Sequence, residues 1–383
     1  MAHKIREVYI VHHSHTDVGY TDLQEQVIYN QTNNIRRAVE LIEEGLEKGT
    51  NQKDLKWNCE TWYCVEQFLK AATKEEKKTF FDLVKKNSIG LSANYLNFND
   101  LADCEYLISR LDIDPDIINH TPNVKFWQRW GAGFDHVDLK AWGERGIPIA
   151  TCPGVNSGIV AELAIMLMLA GYRNLLQINR QLRAGHWPRT EYFGRSFMIK
   201  GKTVGVLGLG HIGKKVAALA PAFGANVTYY DIVRQTEQEE KFGYRFVDFD
   251  TLLRESDIYT IHCPLNEETR GMIGAEQFAQ MKPTAMLINT ARGPIVDEAA
   301  MIDALTTGKI ATAGLDTYEH EPLPKDHPLL TLDNVVASAH AGGNTKDNDI
   351  NMVNYVYHNI VAFDRGEPLN TPGDIVNGEY LKK

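Results

Sequence analysis

Gly208-Leu209-Gly210-His211-Ile212-Gly213 is the run of residues in this 383-residue chain most suited to holding a charged ligand. Alone, a G-x-G-x-x-G pattern is a weak signal. Here it follows a buried-strand run over 203–207 and opens a helical pattern over 214–223 that Gly224 closes. A further strand pattern ends in Asp231, 23 residues after Gly208. Strand, glycine loop, helix, strand and acid in that order read as a dinucleotide cradle. Gly208 allows the tight turn, Gly210 lets backbone approach a pyrophosphate, and Gly213 lets helix and strand pack closely. The diphosphate then rests on the positive end of the helix. Asp231 would accept hydrogen bonds from the adenosine ribose and repel a 2′-phosphate, which favours NAD over NADP. Arg234 nearby is the one contrary feature.

Three further polar positions each follow an apolar strand pattern. Arg292 comes just after Ile288-Asn289, and the acidic run Asp316, Glu319 and Glu321 follows Leu315. His340 follows Val336-Ala337-Ser338. The carboxyl ends of strands in open α/β sheets are where ligands bind. Taken singly, each position also has an ordinary reading: a surface arginine, a solvated acidic loop, a satisfied histidine. Near the N-terminus, His15 and Asp17 alternate at the end of the first strand pattern, so both can point the same way. That is a half-site for a divalent metal.

The elements that would position these residues alternate strand and helix throughout. Strand patterns fall at 7–12, 55–59 and 89–95, with helical stretches over 22–48 and 65–86 between them. From 103 onward they recur at 106–109, 124–130, 147–151, 226–230, 258–262, 285–289 and 335–338, with one long apolar helix over 159–176. The expected fold class is α/β, in three parts. A doubly wound, Rossmann-type cofactor domain covers 154–338. A smaller, flavodoxin-like substrate domain is built from 101–153 and 339–375. A βαβαβ fragment precedes them over 1–100. Residues 376–383 are read as a tail, and the polar chain after Thr371 as loosely held.

Composition bounds the rest. The chain is 43% hydrophobic and 23% charged, which fits a globular protein and excludes disordered, collagen-like and coiled-coil classes. The net charge of −10 invites neither nucleic acid nor an anionic membrane. Five Cys without a Cys-x-x-Cys argue against a disulfide framework and a structural zinc knot. The N-terminus lacks the apolar core of a signal peptide, and the most apolar stretch carries Glu162 and is too short to span a bilayer. A cytoplasmic protein is expected.

Residues from about 100 to 370 resemble the NAD-dependent D-2-hydroxyacid dehydrogenases. The likeness runs through Trp130 to Asp135, Asn156 to Glu162, the glycine loop, His262-Cys263-Pro264-Leu265, Asn289 to Gly293, Asp316 to Pro322 and His340 to Gly343. It implies an oxidoreductase that moves a hydride between NAD(H) and a small 2-hydroxy or 2-keto acid. By the resemblance, Arg292 grips the substrate carboxylate and polarises the keto oxygen, His340 is the acid/base, and Glu321 is its partner. Ala132 and Gly133 offer backbone N–H groups to the same carboxylate. Gly208, Gly210, His211, Ile212, Gly213, Asp231, Cys263, Pro264, Thr269, Thr290, Ala291, Asp316 and Gly342 line the cofactor. The helix over 159–176 and the arm around Trp187 resemble the family's dimer contact, which implies a homodimer. The chemistry is consistent with these roles. Hydride addition to a keto acid leaves negative charge on the carbonyl oxygen and needs a proton there, and a guanidinium and an imidazolium supply the two needs. A neighbouring carboxylate raises a histidine's pKa. Ala339 departs from the family, which often has proline there.

The first hundred residues are similar instead to the start of the glycoside hydrolase family 38 α-mannosidase domain, through His12 to Tyr20, Trp57 to Trp62 and Ile89 to Ser92. In that family the residues matching His15 and Asp17 hold zinc. The resemblance covers only the opening βαβαβ, and the remaining ligands and nucleophile lie beyond the break. The segment either supplies surrogate strands to the substrate domain or hangs from it. The alternatives to a working dehydrogenase are an NAD-binding but catalytically impaired fusion and a zinc-dependent hydrolase.

Overall fold

A computed structural model describes residues 8–11, 56–59, 73, 89–91, 105–109 and 116–381. The helical stretches read over 22–48 and, apart from Thr73, over 65–86, and the pair His15 and Asp17, lie outside the described residues. The chain divides into two compact units. One holds the chain up to Pro153 together with Asn351 onward, and the other runs from Gly154 to Ile350.

The first unit is built on a parallel six-stranded sheet: β1 (Val8–Val11), β2 (Lys56–Cys59), β3 (Ile89–Leu91), β4 (Tyr106–Ser109), β5 (Phe126–Arg129) and β6 (Ile149–Ala150), in the order β3-β2-β1-β4-β5-β6. The N-terminal strands therefore complete the sheet. β1 lies against β4 with Val8 opposite Tyr106 and Val11 opposite Ser109. Every residue of β4 and β5 is buried, as expected of strands covered on both faces. Leu107, Trp127, Ile149 and Trp142 of α1 (Leu139–Glu144) form the core, with the two indole rings 4.8 Å apart.

The polar tail is held, contrary to expectation. Thr151 N–H donates to Asp374 O (2.8 Å) and Val376 N–H to Ile149 O (2.9 Å). Asn377 accepts from Ile149 N–H through Oδ1 (2.8 Å) and donates from Nδ2 to Ile147 O (2.9 Å). Asp374 and Asn377 are fully buried. β6 is an edge strand with open hydrogen-bonding groups, and the backbone of Asp374 and Val376 together with the Asn377 side chain closes that edge.

The second unit has a parallel seven-stranded sheet: β7 (Thr203–Leu207), β8 (Asn226–Tyr230), β9 (Arg245–Phe246), β10 (Ile258–Ile261), β11 (Met286–Asn289), β12 (Thr312–Leu315) and β13 (Val335–Ala337). Its order is β13-β12-β11-β10-β7-β8-β9. The chain reverses direction across the sheet between β7 and β10, the crevice where open α/β sheets bind ligands. The apolar stretch read as one helix is two, α2 (Ser157–Tyr172) and α3 (Leu175–Arg183), bent by 63°. Asn174 makes the break in a left-handed conformation (φ 49°), which asparagine tolerates, and donates from Nδ2 to Arg195 O. The arm that follows leaves Trp187, Phe193 and Met198 exposed. No single helix among the described residues is long and apolar enough to cross a membrane. The longer helices that follow in this unit are α4 (His211–Leu219), α5 (Thr236–Phe242), α6 (Phe249–Glu255), α7 (Ala275–Gln280) and α8 (Glu298–Thr307), while α9 (Lys346–Arg365) begins here and runs mostly in the first unit.

Candidate active site

The glycine loop joins β7 to α4 in the second unit. Gly208 has φ +88°, and a Cβ there would stand 2.7 Å from Cys263 N. A Cβ on Gly213 would stand 2.0 Å from Gly208 O, so helix and loop approach closer than any side chain permits. Gly210, at the N-cap of α4, faces open space and makes no side-chain cap. The first N–H groups of α4 thus open onto unfilled space beside Gly210, a fit for an anion. Asp231 follows β8, and its Oδ2 accepts from Leu209 N–H at 2.6 Å, which ties the acid to the loop.

On the opposite side of the loop, Cys263 and Pro264 follow β10. Cys263 is half-buried, and burial pushes its thiol up to about 11. Thr269 closes this loop by donating to Pro264 O (2.7 Å). Thr290 and Ala291 follow β11. Thr290 Oγ1 is buried and finds no protein partner among the described residues, which leaves a hydroxyl for a bound group. Asn289 braces the turn, its Oδ1 accepting from Ala291 N–H (3.1 Å) and its Nδ2 donating to Arg292 O (2.9 Å). Arg292 Nη1 donates to Ala291 O (2.7 Å).

His340 stands after β13 in a left-handed conformation (φ 50°). The buried Asp316 carboxylate holds the loop around it. Its Oδ1 accepts from Ala341 N–H and its Oδ2 from Gly342 N–H, both at 2.9 Å, and its own carbonyl accepts from His340 N–H. His340 Nδ1 lies 2.6 Å from Glu321 Oε2, while Glu321 Oε1 accepts from Tyr318 N–H (3.0 Å). Tyr318 is pinned in turn by its hydroxyl on Ser338 O (2.6 Å). A Cβ on Gly293 would stand 1.9 Å from the Tyr318 carbonyl, so the arginine turn and the acidic loop touch backbone to backbone.

Comparison with known proteins places the chain in a family. Residues 165–342 match the model for the D-isomer specific 2-hydroxyacid dehydrogenase NAD-binding domain. A glyoxylate reductase of Korarchaeum cryptofilum is 39% identical over 284 residues, covering 73% of this chain and 85% of that protein. The chain belongs to the D-2-hydroxyacid dehydrogenase family. A D-3-phosphoglycerate dehydrogenase of Archaeoglobus fulgidus is 42% identical over 261 residues, or 68% of this dehydrogenase and 49% of that protein. The crystal structure of D-lactate dehydrogenase with NAD+ from Lactobacillus jensenii matches with a TM-score of 0.63 and 30% identity, over 80% of this chain and 98% of that one.

The dehydrogenase is thus an oxidoreductase with NAD as its cofactor, and the glycine cradle, Asp231 and the Thr290 hydroxyl fit that group. The second unit brings Arg292, Glu321 and His340 to the carboxyl ends of its strands. Ala132 and Gly133 lie in the first unit, after β5, where Arg129 Nε donates to Gly133 O (3.3 Å) and Cys152 N–H to Gly131 O (2.8 Å). No group of three or more His, Cys, Asp or Glu that could hold a metal occurs among the described residues.

Electrostatics set the histidine. The hydrogen bond to Glu321 raises the His340 pKa above its usual 6.5, against burial and the charge of Arg292. For Glu321, burial pulls upward, but the hydrogen bond and charge of His340 outweigh it and hold the carboxyl below its usual 4.5. Sequence reasoning missed the residue that clamps the acidic loop from outside. Glu298, in the first turn of α8, accepts from Glu319 N–H (3.2 Å) and pairs with His327 Nε2 (3.1 Å). A helix-start acid is common, and nothing in its spacing announces a loop 21 residues away.

Proposed function

We propose that this dehydrogenase reduces a small 2-keto acid to the 2-hydroxy acid, with Arg292, His340 and Glu321 as its working side chains. The observation that carries the reading is the 2.6 Å contact between His340 Nδ1 and Glu321 Oε2, with Arg292 near enough for its charge to act on both groups. NADH, when bound, supplies the hydride. Arg292 binds the substrate carboxylate and draws charge toward the keto oxygen, and the N–H groups of Ala132 and Gly133 are assigned to that carboxylate too. His340 uses Nδ1 on Glu321, which leaves Nε2–H to deliver the proton to the developing alkoxide. Glu321 keeps the ring oriented and charged until that moment.

Glyoxylate is the first substrate to try, because the Korarchaeum relative is a glyoxylate reductase. The test follows NADH absorbance with glyoxylate, pyruvate, hydroxypyruvate and its 3-phosphate. His340→Ala is expected to lower kcat by about 10²–10⁴, and Arg292→Ala to lower kcat/KM for the same acid. Turnover by His340→Ala within about tenfold of the parent protein would remove histidine from the proton step. NADH binding without turnover on any acid would favour the impaired-fusion alternative.

A further inference from the structure

Beside the nucleotide cradle lies a charged cluster to which the reaction assigns no task. The turn between β8 and α5 runs Asp231-Ile232-Val233-Arg234-Gln235, and Arg234 is its only basic residue. Arg234 Nε donates to Glu239 Oε1 at 2.9 Å and Nη2 to Glu239 Oε2 at 2.7 Å, a two-bond fork onto α5. The guanidinium also sits 5.2 Å from the centre of the Phe246 ring. Glu239 is anchored from below, its Oε1 accepting from the hydroxyl of the buried Tyr229 (2.7 Å), and that hydroxyl accepts from Gln235 N–H (2.8 Å). The arginine is therefore fixed at both ends of its fork and along one face.

Dinucleotide sites that take a ribose 2′-phosphate do so with an arginine near this strand end. We propose that Glu239 is a determinant of cofactor specificity, because its fork withholds from the nucleotide the one cation of this turn able to receive a 2′-phosphate. The proposal rests on the cradle holding the cofactor as described above, with Asp231 at the ribose. Asp231 repels the phosphate, and Glu239 removes the group that would compensate for it. The pair stays charged at neutral pH, since the hydrogen bonds from Arg234 and Tyr229 hold the Glu239 carboxyl down at about 2. A paired guanidinium has spent its two parallel donors and offers little net charge to an approaching anion.

The full-length protein is titrated calorimetrically with ADP-ribose and with its 2′-phosphorylated form, and the NADPH-to-NADH ratio of kcat/KM is measured beside it. Glu239→Gln should raise affinity for the 2′-phosphorylated ligand about tenfold while ADP-ribose stays within about twofold. Glu239→Asp keeps the charge but cannot span the fork, so it should gain in the same direction. The gain should vanish in Arg234→Gln/Glu239→Gln. A gain that persists in that double variant overturns the proposal, because loss of a negative charge would then suffice. Retained ADP-ribose binding with no gain in either single variant overturns it as well. So does loss of ADP-ribose binding in both, which would make Glu239 part of the site itself. Failure of the unaltered protein to bind ADP-ribose would instead strike the cradle.

Discussion

Replacing Glu321 with glutamine keeps the shape of the loop and removes one charge, so it isolates what the carboxylate does for His340. The contact is short at 2.6 Å, and a hydrogen bond with charge on both partners is worth about 1.5–3 kcal/mol when shielded. The His340 side chain is 50% exposed, so water screens part of that, leaving about 1–1.5 kcal/mol. Of the influences that remain in Glu321→Gln, burial and the Arg292 charge push the imidazole down, and only the weaker Asp316 charge pushes it up. In the proposed reaction, reduction consumes the protonated ring. The variant should therefore match the parent protein at low pH and fall behind by about tenfold once the parent's histidine alone stays protonated. The assay is kcat/KM for keto-acid reduction across pH, with the alkaline limb moving to lower pH. Oxidation of the hydroxy acid needs the neutral ring, so its acid limb should move the same way. A uniform loss at every pH would show that Glu321 only positions the ring. The same shifts bear on stability. A raised His340 contributes stability below its unfolded value and loses it as pH rises through the folded one. A lowered Glu321 contributes above its unfolded value and loses it as pH falls through the folded one. The pair thus stabilises the fold most in the window between.

Two structural predictions accompany it. Asp316→Asn leaves one oxygen to face two backbone donors, Ala341 and Gly342, and should cost about 1–3 kcal/mol in thermal unfolding with a fall in kcat as the His340 loop loosens; an unchanged Tm would refute the clamp. Asn377→Ala strips the partners from Ile149 N–H and Ile147 O and should cost about 2–4 kcal/mol in urea unfolding followed by tryptophan fluorescence. A cost under about 0.5 kcal/mol would mean that the tail adds nothing to that edge.

What the sequence showed and hid has a common physical origin. The glycine loop was legible because strand, loop, helix and acid are contiguous, and each glycine answers a local steric demand. Arg292 and His340 were legible as residues at strand ends, but their partnership with Glu321 came from resemblance, since no local pattern joins chain segments that meet only in the fold. The two-residue β9 is too short to show a period. β12 (Thr-Ala-Gly-Leu) has small residues because α2 presses on it: a Cβ on Gly314 would stand 2.9 Å from Leu167 Cβ. The tail misled because polarity was read as exposure, whereas Asn377 pairs a buried strand edge and the Asp374 carboxylate accepts from Tyr355, Asn359 and Thr371 in the interior. Glu298 was invisible for a related reason, as it acts on a loop 21 residues away that no helical or strand period spans.

The N-terminal strands show how little a parallel sheet asks of a newcomer. A strand in such a sheet must be extended, must tolerate burial, and must be carried back to the same edge by a crossover. Val-Tyr-Ile-Val meets the first two demands by itself, and its register with Tyr106–Ser109 uses backbone groups alone. Side chains then decide only what covers the faces. The N-terminal segment can therefore stand at β1, β2 and β3 without disturbing β4, β5 or β6, whose own residues are buried and whose far edge the tail closes. Arg292, Glu321 and His340 all lie in the second unit, which holds none of those three strands. Ala132 and Gly133, proposed above to meet the substrate carboxylate, follow β5 in the same sheet as β1 and two strands from it, so of the proposed site residues these are the ones that share a sheet with the N-terminal strands.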